Sequence, residues 1–288
     1  MDLTFVSYNI QLSGLDSENH KWDNRKKYII QLLKSCHIFC LQEVSHSQYI
    51  DISNELIEYD IIAYNTITGH PLSMYSIDTE EGLVIGYRKD KFIIGKDFGL
   101  RWYGDIPLQI NRIYYGVQLQ FYKCLQYILL KTKDNKNIYI LNSHFTHEDI
   151  SNNLNPRLLS AEYELSIIKI FNENDIWISS GDRNFHTPRD DNVYNLYLNK
   201  GIVDPRKLCP NYGSTSTFIG YEDHVRMNKI LDCGKLEKNY YLDVIYNSNN
   251  IIANSWTSHL CEYEDGILIP CSEYVKNKNS RNFGSDHT

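Results

Sequence analysis

The chain has 288 residues, with 29 Lys and Arg against 36 Asp and Glu, so its formal net charge is −7. Charged residues make up 23% of the chain and hydrophobic residues 42%, which excludes a disordered, collagen-like or coiled-coil protein and favours a globular domain with a sizeable core. The acidic balance argues against a broadly basic nucleic-acid-binding surface but leaves room for a local basic groove.

The first half of the chain alternates between strand-like and helix-like segments. Runs of β-branched and aromatic residues predict strands over residues 3–11, 37–44, 60–64 and 82–88. Apolar residues at helical spacing predict helices over residues 25–35 and 50–59.

The second half continues this alternation and adds a hairpin. Strands are predicted over residues 114–121, 127–133, 138–145, 175–180, 241–246 and 251–256. The turn at residues 134–137 joins two of these strands as a hairpin. Helices are predicted over residues 156–171, with Pro156 near the start, and over residues 190–200, which Gly201 ends. The pattern predicts mixed sheets covered by helices in a layered α/β sandwich, and the absence of repeats or linkers predicts one domain over residues 1–288.

The sequence shows no feature that directs the chain to a membrane or an oxidising compartment. Its first residues lack the basic and apolar regions of a signal peptide. No apolar run approaches the roughly 18 residues needed to span a bilayer. None of the seven Cys forms a C-x-x-C pair, so neither a disulfide framework nor a zinc site is expected. We expect a cytoplasmic or nuclear protein that is monomeric and has no membrane anchor.

Polar side chains interrupt or follow several of the predicted strands, and two more lie at the C-terminus. They are Asn9 in SYNI, Glu43 in LQEV, His144 in NSHF, Asp182 and Asn184 in GDRN, Asp243 in LDVIY, and Asp286 and His287 in SDH. Because strand ends meet at a common rim, these groups are expected to converge. Carboxylate and amide oxygens suit Mg²⁺ or Mn²⁺ rather than zinc, and an Asp–His pair offers a base in a fixed tautomer. The set predicts metal-assisted attack of water on a phosphate ester.

In this order, the six motifs resemble those of the endonuclease/exonuclease/phosphatase superfamily, which includes DNase I, exonuclease III-type repair nucleases, deadenylases, neutral sphingomyelinases and inositol polyphosphate 5-phosphatases. The resemblance extends from Leu3 to His287. It implies a four-layer αββα sandwich of the α+β type, which agrees with the pattern of elements above. It also implies a metal-dependent hydrolase acting on ester bonds, with Mg²⁺ as the cofactor and Mn²⁺ as a substitute. Glu43 would be the principal metal ligand, assisted by Asn9 and Asp286.

The same resemblance implies catalytic roles for the remaining motif residues. Asp182 would orient or deprotonate the attacking water, with Asn184 beside it. His287, paired with Asp243, would be a second candidate base or a phosphate ligand. His144 would stabilise the pentacovalent transition state. The sequence leaves open which of Asp182 and His287 is the base.

Four further residues are weaker candidates for contact with the substrate. Arg112 and Thr217 fall where relatives often carry an Arg and a Thr near the phosphate, although a surface Arg and a hairpin strand are equally good interpretations. Arg157 and Arg183 are weaker still as phosphate contacts. Arg183 also makes GDRN unusual, because many relatives have an apolar or small residue there.

The end of the chain departs from the family pattern. Thr288 comes one residue after His287, whereas relatives usually continue into a closing strand. We therefore expect that strand to be missing, which puts the support of the Asp286–His287 loop in question.

The site implies a phosphate ester without identifying the substrate. Residues 22–56 and the segment EGLVIGYRKDKF resemble deadenylases and related nucleases, which favours nucleic acid. Against this, the chain is acidic and its only basic run is at residues 25–27. No membrane-inserting tract or dense cationic cluster favours a lipid or inositol phosphate. A nuclease-like phosphodiesterase ranks first, a small-molecule or lipid phosphoesterase second, and a non-catalytic binding protein with this fold third.

Overall fold

The structure is a computed structural model that describes residues 2–15, 21–74, 77–150, 154–184, 191–202, 204–205, 209, 242–255, 261–264 and 267–270. Its strands are β1 (Phe5–Asn9), β2 (Ile38–Val44), β3 (Tyr59–Asn65), β4 (Gly82–Arg88), β5 (Phe92–Trp102), β6 (Ile113–Tyr114), β7 (Val117–Gln118), β8 (Cys124–Thr132), β9 (Asn137–His144), β10 (Ile176–Asp182), β11 (Asp243–Asn247), β12 (Cys261–Glu264) and β13 (Ile267–Pro270). Its α-helices are α1 (Trp22–Lys34), α2 (His46–Glu55), α3 (Pro156–Ile168) and α4 (Asp191–Asn199).

Two mixed sheets form the centre of the molecule. The first has the order β1-β2-β4-β3, in which β1 and β2 are parallel and the other neighbours antiparallel. The second has the order β11-β10-β9-β8-β5, in which β9 and β10 are parallel and the other neighbours antiparallel. Each sheet therefore contains one parallel pair, and both pairs carry site motifs at their carboxyl ends.

Buried apolar clusters hold the layers together. Between the sheets, Ile38 and Ile85 of the first sheet share a buried core with Ile140 of the second. Helices α1 and α2 bury their apolar faces on the outer side of the first sheet, and α3 and α4 do the same on the second. Burial of apolar surface is the main stabilising term in such a stack. The layers are thus helix, sheet, sheet, helix, which confirms the predicted αββα sandwich.

Two helices begin at side-chain caps that fix their starting points. Ser45 and Gln48 form a reciprocal capping box, so α2 starts at His46, immediately after β2, and not at residue 50 as predicted. Asn155 accepts hydrogen bonds from the backbone N–H groups of Arg157 and Leu158 at the start of α3. Ser45 lies two residues after Glu43, so its cap also fixes how the chain leaves that motif.

The structure corrects two predicted strands and adds one that the sequence did not predict. The segment 114–121 is not one strand, because Tyr115 and Gly116 take positive φ angles of 51° and 75° and turn the chain between β6 and β7. Residues 251–255 are not in a strand. Strand β5 was not predicted, because Gly95 and Gly99 break its alternation and its register against β8 shifts between Ile94 and Phe98. The residues of SDH lie outside the described residues, and the absence of a closing strand after them stays a prediction.

Candidate metal and phosphate site

Four of the predicted side chains meet at one edge of the sandwich. The Asn9 Nδ2 lies 2.9 Å from Glu43 Oε1 and 3.0 Å from Asp182 Oδ2. The His144 Nε2 lies 3.6 Å from Asp182 Oδ2 and 3.9 Å from Glu43 Oε1. Asn9, His144 and Asp182 are buried, whereas the Glu43 side chain is 24% exposed. The four therefore form a mostly enclosed polar cluster that opens to solvent at Glu43.

Strand pairing explains why residues so distant in sequence converge. Asn9 pairs in register with Gln42 on the parallel strands β1 and β2, and Asp182 pairs with His144 on the parallel strands β10 and β9. The carboxyl ends of parallel strands lie at the same edge of a sheet. The face-to-face stacking of the two sheets then places both edges against each other.

A β-bulge sets the direction of Glu43. The register between β2 and β4 shifts between Leu41 and Val44, and Glu43 has a positive φ of 54°. Bulges commonly re-aim a side chain near an active site. Here the Glu43 carboxylate reaches the cluster, while the preceding Gln42 side chain donates to Asn142 Oδ1 across the sheets at 2.7 Å.

Asn142 completes a buried polar link between the two sheets behind the cluster. Its Nδ2 donates to the carbonyl oxygens of Leu41 at 2.9 Å and Val84 at 3.0 Å. Because unpaired buried polar groups are costly, this network allows one relative position of the sheets in which all these bonds are made. It thereby fixes the distance between Glu43 on one sheet and His144 on the other.

Two charged residues that the sequence did not predict hold His144. Glu81, just before β4, pairs with the His144 Nδ1 and accepts a hydrogen bond from Lys123 Nζ at 2.8 Å. Lys123 Nζ also lies 3.0 Å from His144 Nε2. Burial raises the pKa of Glu81, but the charges of His144 and Lys123 outweigh it and lower that pKa to about 2. Glu81 is therefore ionised at neutral pH and stabilises the orientation of the imidazole ring.

The two residues differ in the signal that could have revealed them. Glu81 opens the segment EGLVIGYR, which resembles deadenylases and related nucleases, but that resemblance assigns no role to Glu81. Lys123 follows aromatic residues before β8 and carries no motif of its own. Lys123 and Glu81 are 42 positions apart in sequence, so only the folded structure brings them into contact.

The loop that leaves β10 is held by Asn184. Its backbone N–H donates to Asp182 Oδ1 at 2.9 Å, and its Nδ2 donates to the Phe145 carbonyl at 2.9 Å. Asn184 has a positive φ of 49°, a conformation that Asn adopts more readily than most residues. Asp243 on β11 lies opposite Asp182 in register and is buried. These contacts orient Asp182, while the pairing of Asp243 with His287 stays a prediction.

The remaining predicted residues lie elsewhere or outside the described residues. The Arg112 Nη1 donates to the Gln120 carbonyl at 2.5 Å, and its guanidinium stacks on the Tyr122 ring at 5.1 Å, so it is held within its own loop. Arg157 is buried and donates to the Thr146 carbonyl at 3.3 Å. Thr217, Asp286 and His287 lie outside the described residues.

Arg183 is also buried, and its guanidinium pairs with Glu164 at 2.7 Å. The burial of Arg157 and Arg183 does not fit the direct contact with phosphate considered for them from the sequence.

The donor chemistry of the cluster fits a divalent cation. Candidate ligand atoms of Glu43, His144 and Asp182 all lie within 4.8 Å of one another. Two carboxylates turn toward the same point, where the Asn9 amide N–H donates to both of them. A position that concentrates two negative charges around one donor stabilises positive charge, and carboxylate oxygens suit Mg²⁺ or Mn²⁺.

An αββα sandwich with this polar cluster at one edge is the architecture of hydrolases that act on phosphate esters. The model of the Endonuclease/Exonuclease/phosphatase family matches residues 6–190, and the chain belongs to that family. Its members are phosphoesterases that typically depend on a divalent metal, so this chain is a metal-dependent hydrolase acting on ester bonds. The family predicted from the six motifs is thereby confirmed.

Solved structures share this fold at low sequence identity. A mannosyl-6-phosphatase from Bacteroides thetaiotaomicron is 21% identical, with 99% of this chain and 97% of that chain covered and a TM-score of 0.75. An endonuclease/exonuclease/phosphatase from Bacteroides vulgatus is 21% identical over 88% and 90%, with a TM-score of 0.71. D. rerio TDP2 complexed with a single-strand DNA product is 17% identical over 99% and 95%, with a TM-score of 0.63.

A comparison with curated protein sequences found no match. Within the described residues, no helix is both long enough and apolar enough to cross a membrane.

Proposed function

We propose that this protein is a Mg²⁺-dependent phosphodiesterase with nuclease-like activity, which cleaves a phosphate ester by in-line attack of water. The observation that carries this proposal is the convergence of two carboxylates, an amide and an imidazole from four strands on one partly open cluster. Carboxylates, an amide and an imidazole provide cation binding, water orientation and charge stabilisation within one volume.

Glu43, Asn9 and Asp286 are the residues we assign to the cation. When bound, the cation polarises a phosphoryl oxygen and offsets the charge that develops on it. In the described structure the Asn9 amide N–H already bonds to Glu43 Oε1, so the two side chains are close enough to act together. Asp286 is included on the resemblance of the SDH motif alone.

Asp182 is the group we assign to the attacking water. The Asn184 backbone N–H occupies its Oδ1, which leaves Oδ2 directed at the cluster beside Asn9. A carboxylate oxygen fixed in this way accepts a proton from water or holds the water in line. His287, paired with Asp243, is the second candidate for this role.

His144 is the group we assign to the charge that builds on the phosphoryl oxygens. Glu81 pairs with the His144 Nδ1, and Lys123 lies close to its Nε2, which also faces Asp182 and Glu43. A donor that is already oriented needs little reorganisation when the charge appears, and removing one such donor commonly reduces kcat by about 10²–10³-fold.

An exposed aromatic ring beside the cluster favours nucleic acid as the substrate. Phe121 is 38% exposed, and the Lys123 Nζ that contacts His144 lies 5.9 Å from the centre of its ring. Aromatic side chains next to a phosphate site can stack a base, which contributes about 1–3 kcal/mol per base. The similarity to a TDP2 that was solved with a single-strand DNA product points in the same direction.

A sugar phosphate is the second candidate substrate. It is favoured by the similarity to a mannosyl-6-phosphatase over 99% of this chain. The net charge of −7 also suits a small substrate better than a long polyanion, which gains from a chain of cationic contacts.

A substrate panel with Mg²⁺, Mn²⁺ or EDTA tests the reaction and separates the two candidates. The panel holds single- and double-stranded DNA, poly(A) RNA and mannose 6-phosphate, with Glu43→Gln as the inactive control. We expect turnover of a nucleic acid that EDTA abolishes. Turnover in EDTA, or full activity of Glu43→Gln, would contradict the mechanism, and turnover of mannose 6-phosphate alone would select the second candidate.

Phe121→Ala tests the stacking argument. We expect its KM for single-stranded DNA to rise about 5–100-fold, since one stacking contact is lost. Phe98→Ala is the matched control, because Phe98 is a similarly exposed phenylalanine on β5. An equal effect of both variants would show that the ring does not contact the substrate.

A further inference from the structure

The arginine of the GDRN motif points away from the site and into the protein. Arg183 stands between Asp182 and Asn184 in sequence, yet its side chain is entirely buried. Its Nη2 lies 2.7 Å from Glu164 Oε1 on α3, and its Nη1 donates to the Val244 carbonyl on β11 at 3.1 Å. The side chain therefore connects the end of β10 to a helix and to the neighbouring strand.

Three aromatic rings surround the guanidinium. Its central carbon lies 4.9 Å from the centre of the Tyr246 ring, 5.4 Å from that of Tyr197 and 5.8 Å from that of Phe145. Cations over aromatic faces are stabilised most when they are desolvated. The rings and Glu164 together compensate a charge that would otherwise be very costly to bury.

The same Glu164 carboxylate also holds the strand that carries His144. Its Oε2 accepts a hydrogen bond at 2.6 Å from Ser143 Oγ, and Ser143 directly precedes His144. Its Oε1, which pairs with Arg183, also accepts from Ser179 Oγ on β10 at 2.7 Å. One carboxylate thus binds the residue before His144 and the residue after Asp182.

The backbone transmits these contacts to the site. Asp182 and His144 are register partners on β10 and β9, and the Arg183 backbone N–H donates to the Leu242 carbonyl at 2.7 Å. Neighbouring side chains on a strand point to opposite sides. Fixing Arg183 and Ser143 on the side of the sheet that faces α3 therefore fixes Asp182 and His144 on the opposite side, which faces the site.

We propose that Arg183 and Glu164 are positioning residues, which set the relative placement of Asp182 and His144 from beneath the site. The pair does not need to be ionic for stability, because well-packed apolar residues commonly replace a buried ion pair at no loss. The ion pair adds directional hydrogen bonds. The planar guanidinium of Arg183 and the two oxygens of Glu164 form all of their bonds in only one arrangement of β9, β10 and α3. The consequence for catalysis rests on the function proposed above.

The double variant Glu164→Leu/Arg183→Met separates positioning from stability. It removes both charges while keeping apolar volume, but it also takes the acceptor from the Ser143 and Ser179 hydroxyls, so we expect a lower melting temperature with the fold retained. We expect kcat to fall about 10–100-fold, the range seen when outer partners of a metal site are lost, with KM within about twofold. Leu33→Ala, on the buried face of α1, is the control that lowers the melting temperature while leaving kcat unchanged.

Two readouts do not depend on turnover. In the metal-free protein, the NMR resonances of the His144 ring, assigned with His144→Gln, are expected to shift in the double variant. The dissociation constant for Mn²⁺, measured by electron paramagnetic resonance, is expected to rise about tenfold, because Asp182 offers a candidate ligand atom beside that of Glu43 and would move relative to it. If the wild type hydrolyses no substrate, the proposed function fails while these two measurements still decide the positioning role.

Arg183→Lys covers the case in which the double variant does not fold. It keeps the charge but loses the fork, so we expect a folded protein whose kcat and Mn²⁺ affinity lie below those of the wild type. The proposal is overturned if the double variant keeps the kcat, the His144 resonances and the Mn²⁺ affinity of the wild type. If the double variant is unfolded, the same result for Arg183→Lys overturns it. The pair would then serve packing alone.

Discussion

A methyl group at residue 181 is expected to separate the two strands that carry Asp182 and His144. Gly181 has a φ of +139°, and a Cβ built on it would lie 1.8 Å from the Ser143 carbonyl oxygen. The Ser143 C and N atoms would lie at 2.7 and 2.8 Å, so the obstruction is backbone and cannot rotate away. Ordinary contact begins at 3.4 Å, which means that Gly181→Ala must shift β9 from β10 by about 1.6 Å.

The cost of this change has two parts. A non-glycine residue held at such a φ costs about 1–3 kcal/mol. Displacing the backbone at Ser143 weakens about two ladder hydrogen bonds next to the register pair Asp182 and His144, at about 1 kcal/mol each. The free energy of unfolding should fall by about 3–5 kcal/mol, a large part of the stability of a typical domain.

Urea denaturation and Mn²⁺ binding measure the two consequences. Gly116→Ala is the control, because Gly116 also has a positive φ, of 75°, but a Cβ there meets nothing within 4 Å. The control should lose only about 1–2 kcal/mol and bind Mn²⁺ normally. Equal losses in both variants, or a Gly181→Ala protein with wild-type Mn²⁺ affinity, would refute the argument that this contact sets the spacing of the site.

Three further predictions follow from the site and the core. Glu43→Gln should lower turnover by at least about 10²-fold, because the proposed metal site loses a negative charge. Its melting temperature should change little, because the Glu43 side chain is partly exposed. Glu81→Gln should reduce kcat about 10–100-fold, because the His144 ring loses an ionised partner, and kinetics at saturating substrate check this. Burial raises the pKa of Cys36 and Cys40 to about 12, so iodoacetamide at pH 8 should label both only after unfolding, as mass spectrometry of their peptides would show. Labelling of the folded protein at either thiol would contradict the third prediction.

The elements that the sequence predicted well are those whose pattern is local. Strand β4 was predicted with its observed bounds, and β2 within one residue, because uninterrupted apolar runs mark buried strands. Strand β5 was missed because pairing with β8, rather than its local sequence, stabilises it, even though it contains two glycines and a bulge. Helix α2 was placed too late because a capping box, rather than the apolar residues, sets its start.

The site followed the same division. Asn9, Glu43, His144 and Asp182 were each marked by a short motif at a strand end, and the structure brings all four together. Their partners were invisible, because Lys123 and Glu164 act through contacts that no local pattern records. The sequence also suggested a phosphate contact for Arg183, because a charge next to Asp182 suggests exposure, whereas its acid lies 19 residues away on α3.

The charges around the cluster explain how an acidic protein can still act on a phosphate. Glu43, Glu81 and Asp182 contribute three carboxylates, and Lys123 is the cation that contacts Glu81 and His144. An edge with this excess of negative charge attracts a divalent cation and repels a phosphate ester. A cation held by Glu43 and its neighbours would offset this negative charge where the phosphate arrives, so we expect substrate affinity to depend on metal occupancy. The net charge of −7 therefore overstates the negative charge that a substrate would meet at the site, because it leaves out the charge of the cation.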